Sequence, residues 1–461
     1  MKTNKKFKIT IISLSVACAL LLAGVIVLLC ILLYDPYEPI DKEEFYERVG
    51  DNLKIPVVEI NTDGSDPSSD TTYDSCSFAI SNTEDPTHSF SVENKGLAEA
   101  VGGVGIRLRG NYTQKAEKKA YRVRFNEKTS ILGLKANKNW ILLADYYDQS
   151  AIRNYTALTL ASYFDNMDFT PTPNHVALIM NGEFKGLYLL CERIDEENGR
   201  CDIEVDYLED YKNNYPFLVC VDESSKSGLT EGRDYFNIEG WYPVEIKYPD
   251  YDERPTEGDP VFNYIQEYMN AVFTALKTGE AVSVSFSDKP MRLEDLVDID
   301  SLIDYYLVNE IMFNCDSASK SIYAYREADG KLKFGPVWDF DWSLAYHFEI
   351  PYKQSHIETA NEIHIQFRSP LFDLFLKNGE YMEKTARRFL EKKDALLSVC
   401  EHLRTYKDKI DGVATIDASI TYGESGIFQY DMQYDYVRLY LLDRYNFLEK
   451  HFSAKIGDAN E

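Results

Sequence analysis

The chain has 461 residues, long enough for a large core and more than one substructure. It carries 76 Asp and Glu against 49 Lys and Arg, a net charge of −27. That balance excludes nucleic acid as an expected partner, since such affinity rests on neutralising phosphates with basic side chains, and 34 Tyr with 24 Phe exclude extensive disorder.

Met1 to Lys8 contains Lys2, Lys5, Lys6 and Lys8, and Ile9 to Tyr34 contains no charged residue. At ~1.5 Å per residue the apolar run would reach roughly 39 Å, more than a bilayer core requires. It lacks the short apolar region and small-residue exit of a cleaved signal peptide. The pattern predicts a basic cytoplasmic tail at residues 1–8, a transmembrane anchor at 9–34 and a stalk at 35–51. The implied location is the cell membrane, single-pass, with the C-terminal domain extracellular. Of eight cysteines, Cys18 and Cys30 fall in the apolar run. The other six (Cys76, Cys191, Cys201, Cys220, Cys315 and Cys400) show no CxxC spacing, so no zinc site is expected. Disulfides and buried free thiols both remain open.

Residues 52–200 read as a β-rich lobe. Lys54 to Ile60 and Ser75 to Ile80 are strand candidates that pair back on each other. Ile106 to Arg109 and Ala120 to Phe125 alternate apolar and basic residues, and Trp140 to Ala144 suits a buried strand. Gln149 to Phe164 predicts a helix with Asp148 as its N-cap. Asn181-Gly182 between Val176–Met180 and Gly186–Cys191 is a strong hairpin signal.

In residues 201–350, Tyr242 to Tyr248 is the clearest strand, and Pro260 to Lys277 and Ser301 to Phe313 read as helices, the second capped by Asp300. Ile322 to Tyr325 and Lys331 to Phe334 pair around Asp329-Gly330. Residues 351–461 are mostly helical, with Val437, Tyr440, Leu441, Phe447 and Leu448 at helical spacing in a closing helix.

Several residue patterns could carry chemistry. Gly105-Ile-Arg-Leu-Arg-Gly-Asn111 sets Arg107 and Arg109 on one face of a strand beside a glycine turn where backbone N–H groups can approach a phosphate; solvated or acid-paired arginines are the plain alternative. Lys118, Lys119 and Arg122 flank the next strand, and pattern alone does not say which lysine faces a cleft. Asp148 with Arg153-Asn154 suits either a helix that positions a phosphate lysine or a capped helix with a surface arginine. Glu192 ends a strand whose backbone could read adenine at a hinge. Asp316 follows a helix directly, and Ser321 lies five residues on, where its oxygen could meet a metal. Asp339 and Asp341 would share one side of an extended segment, where two carboxylates call for a cation such as Mg²⁺ or Mn²⁺. Trp338, Phe340 and Trp342 would wall that site. No GxSxG or HExxH pattern occurs, and His347, His356 and His364 cluster only loosely. Asn111-Tyr-Thr and Asn154-Tyr-Thr fit the glycosylation sequon.

These motifs resemble the CotH kinase family of spore coat proteins. The resemblance rests on Arg107-Leu-Arg-Gly-Asn111, Lys119-Ala-Tyr-Arg122, Trp140-Ile-Leu-Leu-Ala144, Asp148 with Arg153-Asn154, Gly186-Leu-Tyr-Leu-Leu190, Asn314-Cys-Asp316 and Gly335-Pro-Val-Trp-Asp-Phe-Asp341, in that order. It implies an α+β, bilobal atypical protein-kinase-like fold with a β-rich N-lobe and a mainly helical C-lobe, here preceded by one transmembrane helix. It also implies transfer of the ATP γ-phosphate to Ser or Thr of secreted or surface proteins, with ATP and Mg²⁺ or Mn²⁺ as cofactors. By position, Asp316 matches the catalytic aspartate and Asp339 the metal-binding one, with Asp341 in the same motif. Arg107, Arg109, Asn111, Lys119 and Arg122 match the phosphate-facing region. Many members carry Asn where this chain has Ser321, a weaker metal ligand. Two other readings stand beside this one: a weak or inactive kinase-fold surface protein, and a glycosyltransferase using Asp339-Phe-Asp341 as a DxD motif.

Overall fold

The computed structural model describes residues 37–96, 102–110, 112–206, 208–211, 214–222, 229–249, 258–345 and 359–457. The expected basic tail, anchor and first residues of the stalk fall outside these, as do Asn111, His347 and His356.

The chain enters through β1 (Ile40–Asp41) and α1 (Lys42–Val49), then lays down β2 (Val57–Asn61), β3 (Asp74–Ser81), β4 (Phe90–Val92), β5 (Val104–Leu108), β6 (Tyr121–Thr129) and β7 (Asn137–Leu143). After α2 (Arg153–Ala161) come β8 (Asn174–Met180) and β9 (Glu183–Glu192), joined by the expected Asn181-Gly182 turn. The strands run β9-β7-β6-β5-β3-β2-β8, and β8 pairs again with β9, so seven strands close into a barrel. Every ladder of the ring is antiparallel except β2 with β8, where Val57 to Ile60 run alongside Ala177 to Met180. Alternation sorts the side chains. Ile106, Tyr121, Val123, Trp140, Leu142 and Leu190 share one core with the other inward residues, whereas Ile141, Leu143, Leu189 and Cys191 join a larger core built with the helices.

A second sheet follows, in the order β11 (Tyr235–Phe236), β12 (Val244–Tyr248), β10 (Phe217–Val221), β13 (Ile322–Arg326) and β14 (Lys333–Phe334). Between its strands lie α3 (Pro260–Thr278), α4 (Leu293–Leu296) and α5 (Ile299–Ile311). From Ser301 to Ile311 every residue of α5 is buried, and its polar members Ser301, Asp304, Asn309 and Glu310 are held by hydrogen bonds or ion pairs. Short helices α6 (Ile365–Arg368) and α7 (Pro370–Lys377) lead to α8 (Gly379–Tyr422) and α9 (Glu424–Gly457). The fully buried Arg444 of α9 ion-pairs with Glu310 of α5 and also donates to its carbonyl at 2.8 Å, fixing the end of α5 from which the acidic loop departs.

Two expectations are corrected. The fold is not a small N-lobe set against a mainly helical C-lobe. The first sheet closes on itself, the second half has a five-stranded sheet of its own, and α8 packs back onto the barrel, where Tyr406 bonds His175 of β8 at 2.9 Å. The single-pass anchor and the extracellular address built on it are also withdrawn. No helix of the described residues is long and apolar enough to cross a membrane, since the longest, α8 and α9, carry charged residues along their length. The six cysteines from Cys76 onward are free, and all but the half-buried Cys315 are buried.

Candidate active site

The first acidic loop begins where α5 stops. Phe313 takes a positive φ of 48°, and the next residue, Asn314, is completely buried. Its Nδ2 donates to Asn309 Oδ1 and to the Asp339 carbonyl, each at 3.1 Å, while its Oδ1 accepts from Asp316 N–H at 3.1 Å. One amide therefore holds both acidic loops in a single frame. Asp316 then opens a short 3-10 turn through Ala318, with Lys320 Nζ 3.6 Å from its carboxylate. Ser321, at φ 52°, donates its hydroxyl to Asp339 Oδ2 at 3.1 Å.

The second loop returns from the β13–β14 hairpin. Asp339 has a φ of 69°, so the segment is not extended at that point. Asp341 consequently turns to a second amide, Asn154, whose Nδ2 donates both to it and, at 2.8 Å, to Asp145. Asn154 Oδ1 accepts from Phe340 N–H at 2.9 Å. Asn154 is placed by a loop that begins α2 later than its sequence suggests. Asp148 accepts from Ser150 N–H (2.9 Å), Ser150 Oγ (2.6 Å) and Arg153 N–H (2.8 Å), and ion-pairs with the Arg153 guanidinium. The helix therefore starts at Arg153, after Ala151 at φ 56°. Arg153 is no surface residue. It is fully buried and reaches the Ser343 carbonyl at 3.1 Å and Gln433 of α9 at 3.1 Å.

Asp145, Asp316, Asp339 and Asp341 thus gather around two neutral amides. An amide can donate to a carboxylate without bringing a positive charge to it. Burial is the first cause of every resulting shift, and it favours the protonated acid. Asp316 is pushed up to about 6 by burial and then by Asp339, with Lys320 opposing. Asp145 is pushed up to about 7 by burial and then by Asp148, with Asn154 opposing. Asp341 is raised well above the carboxylate range by burial, Asp145 and Asp339, and Asp339 is raised by burial against the hydrogen bond from Ser321. Among the described residues neither Asp339 nor Asp341 has an ion-pair partner.

Basic residues meet this cluster from the barrel. Arg107 of β5 lies directly across from Arg122 of β6, and both project from the outer face, opposite the inward Ile106 and Val123. Arg109 lies over the Trp338 ring at 5.4 Å and lowers the Asp339 carboxyl, so this barrel arginine faces the second acidic loop. The two lysines separate clearly. Lys118 is buried in an ion pair with Asp417 of α8 (2.8 Å) and donates to the Leu187 carbonyl at 2.7 Å. A side chain at Gly186 (φ 122°) would overlap both members of that pair. Lys119 Nζ donates to the Gln114 carbonyl at 2.8 Å, inside the turn after β5. Glu192 stands apart from the acidic loops, accepting from Thr172 N–H at 2.7 Å with Arg200 at 4.0 Å.

Among the described residues no three His, Cys, Asp or Glu side chains form a ready metal cage. The donor set nevertheless fits Mg²⁺, which keeps several waters and is commonly held by one or two carboxylates together with substrate phosphates. Asp339 with the Ser321 hydroxyl supplies such a partial set, and burial raises the Asp339 carboxyl against the Ser321 hydrogen bond and the charge of Arg109. Asn154 and Asn314 stand in motifs that the sequence reading singles out, but with no role of their own, and Asp145 is not singled out, its one signal being that it lies three residues before Asp148.

A barrel wall bearing arginines thus meets two carboxylate loops at Arg109 and Trp338. The model of the CotH kinase protein family matches residues 106–448, from β5 to α9, and the chain belongs to that family. No curated protein matches the chain.

Proposed function

We propose that the chain is an ATP-dependent protein kinase that phosphorylates Ser or Thr hydroxyls of a protein acceptor. The observation that supports this best is the Asn314 frame, which fixes Asp316 and Asp339 relative to each other through one buried side chain. Asp316 orients the acceptor hydroxyl and takes its proton as the oxygen attacks the γ-phosphorus and the bond to the β-phosphate oxygen breaks, releasing ADP. Asp339 and Ser321, with Asp341 behind them, would hold Mg²⁺ or Mn²⁺. That ion, when bound, supplies positive charge to the transferring phosphoryl group. Arg109 leads the phosphates toward Asp339, and Arg107 and Arg122 line the approach. Catalysis of this kind needs position and charge more than covalent help.

The test is incubation of the purified chain with labelled ATP, Mn²⁺ or Mg²⁺ and a Ser-rich acceptor protein, beside Asp316→Ala and Asp339→Ala. Incorporation should fall by at least ~100-fold in each variant, the scale expected when a positioned charged group is lost from such a site. Wild-type incorporation no higher than in the variants would refute the reading and leave a kinase fold without turnover. Release of sugar from a nucleotide sugar under the same conditions would favour the DxD alternative.

A further inference from the structure

The outer face of the barrel carries more arginine than the motifs account for. Arg107, Arg122, Ile141 and Cys191 form one row across β5, β6, β7 and β9. Gly105, Arg124 and Asn139 form the next, which Arg193 continues two residues beyond Cys191. Arg109 extends the face in the opposite direction, toward Trp338. The chain carries a net charge of −27, yet among the described residues none of these five arginines makes an ion pair. The contacts of Arg107 and Arg109 are aromatic or main-chain instead. Arg107 lies over Tyr73 at 4.9 Å and donates to the Asp70 carbonyl, and its Nε is buried with no partner. Arg122 is pushed down to about 10 by burial first, then by Arg193 and to a lesser degree by Arg107, with only Tyr73 opposing. Arg193 therefore bears on Arg122 more strongly than the residue paired across the ladder does. Burial raises the Asp195 carboxyl, two residues along, to about 6, with Arg193 opposing.

We infer that Arg193 joins Arg122 and Arg107 in a three-guanidinium seat for the polyphosphate of the nucleotide, an assignment that rests on the ATP reading above. Planar guanidinium groups present paired donors that match phosphate oxygens. Neither neighbouring lysine replaces them, since Lys118 is held by Asp417 and Lys119 by the Gln114 carbonyl. The seat leads through Arg109 to Asp339, so an anion lying on it points its end at the acidic loops. Arg124 shares the face but is exposed, and it is left outside the seat.

Calorimetric titration of the full chain with ATP and Mn²⁺, inorganic tripolyphosphate and adenosine tests this, with thermal unfolding as the check on folding. Arg193→Ala should weaken ATP and tripolyphosphate about tenfold, the scale of a charge-assisted hydrogen bond, and leave adenosine unchanged. Arg193→Lys should recover part of the loss, because it restores charge without the fork. Arg124→Ala should cost less than about twofold, as for an exposed charge. Wild-type affinity in Arg193→Ala, or a loss no greater than that of Arg124→Ala, overturns the seat alone. A wild type that binds no ATP overturns the nucleotide reading and the seat together. Binding of ATP without phosphate transfer overturns the kinase reading and leaves the seat standing.

Discussion

Replacing Asp145 with Asn removes one negative charge from the buried acid cluster while keeping an acceptor for Asn154 Nδ2, which donates at 2.8 Å. The Asp145 carboxyl is raised from the ordinary 3.8 to about 7, first by burial and then by Asp148. A folded state that holds a proton more tightly than the unfolded chain contributes stability below about pH 4, and that contribution is lost as the pH rises through about 7. Three pKa units correspond to about 4 kcal/mol as a ceiling. Partial solvent access and sharing of the proton with Asp341 reduce this to roughly 2 kcal/mol at pH 8. Urea denaturation in EDTA should therefore find Asp145→Asn about as stable as the wild type near pH 4 and roughly 2 kcal/mol more stable at pH 8. Taking the difference between the two proteins cancels the opposite trend from His175, whose burial pushes it down to about 4. Saturating Mn²⁺ at pH 8 should then stabilise the wild type more than the variant, because the cation meets one more carboxylate. A variant no more stable than the wild type at pH 8, or a gap that does not change with pH, would refute the argument that these acids are held in mutual repulsion.

Three further outcomes follow from the same site. Ser321→Asn places a residue that tolerates positive φ at φ 52° and provides a carbonyl oxygen, so the Mn²⁺ concentration giving half-maximal transfer should fall several-fold in a metal titration. The pH profile of kcat/KM should rise through about 6 as Asp316 ionises, since proton acceptance needs the carboxylate, and a profile flat from pH 5 to 8 would count against that role. Lys118→Met strands Asp417 in the core and should cost about 3–5 kcal/mol by denaturant titration, whereas the double variant Lys118→Met, Asp417→Leu should recover most of it.

Local chemistry was legible in the sequence where it is enforced by neighbours. Asn181-Gly182 and Asp329-Gly330 specify their turns, and both hairpins form as read. The alternation Ile106-Arg107 and Tyr121-Arg122-Val123 correctly puts the arginines on a face of their own. Barrel closure was not legible, because it depends on the parallel ladder of β2 with β8, whose partners such as Val57 and Ala177 are far apart in the chain. No periodicity within either strand names its partner. A pattern that fits a half-buried strand fits an open lobe and a closed barrel equally well.

The site shows the same division more sharply. Acidic residues in turn-rich loops announce themselves by type, and Asp316, Asp339 and Asp341 are candidates on reading alone, which the structure brings into one cluster. What holds them is read from neutral residues. Asn314 and Asn154 look like ordinary loop and helix positions, yet each has its donors and acceptor placed on both sides of a carboxylate cluster. Asp148 shows how such a misreading arises. Its position before an apolar run mimics an N-cap, and it does accept from Arg153 N–H, but Ser150 and the Arg153 guanidinium claim the same carboxylate. The helix start slips four residues as a result, from Gln149 to Arg153, and this sets Asn154 in its first turn, against Asp341. A lysine or arginine in place of either amide would neutralise the acids it orients, and an apolar residue would leave a buried backbone donor or acceptor unpaired. Asparagine at both positions ties the acidic loops together without placing a positive charge among them, and so leaves the carboxylates for the cation that the proposed transfer requires.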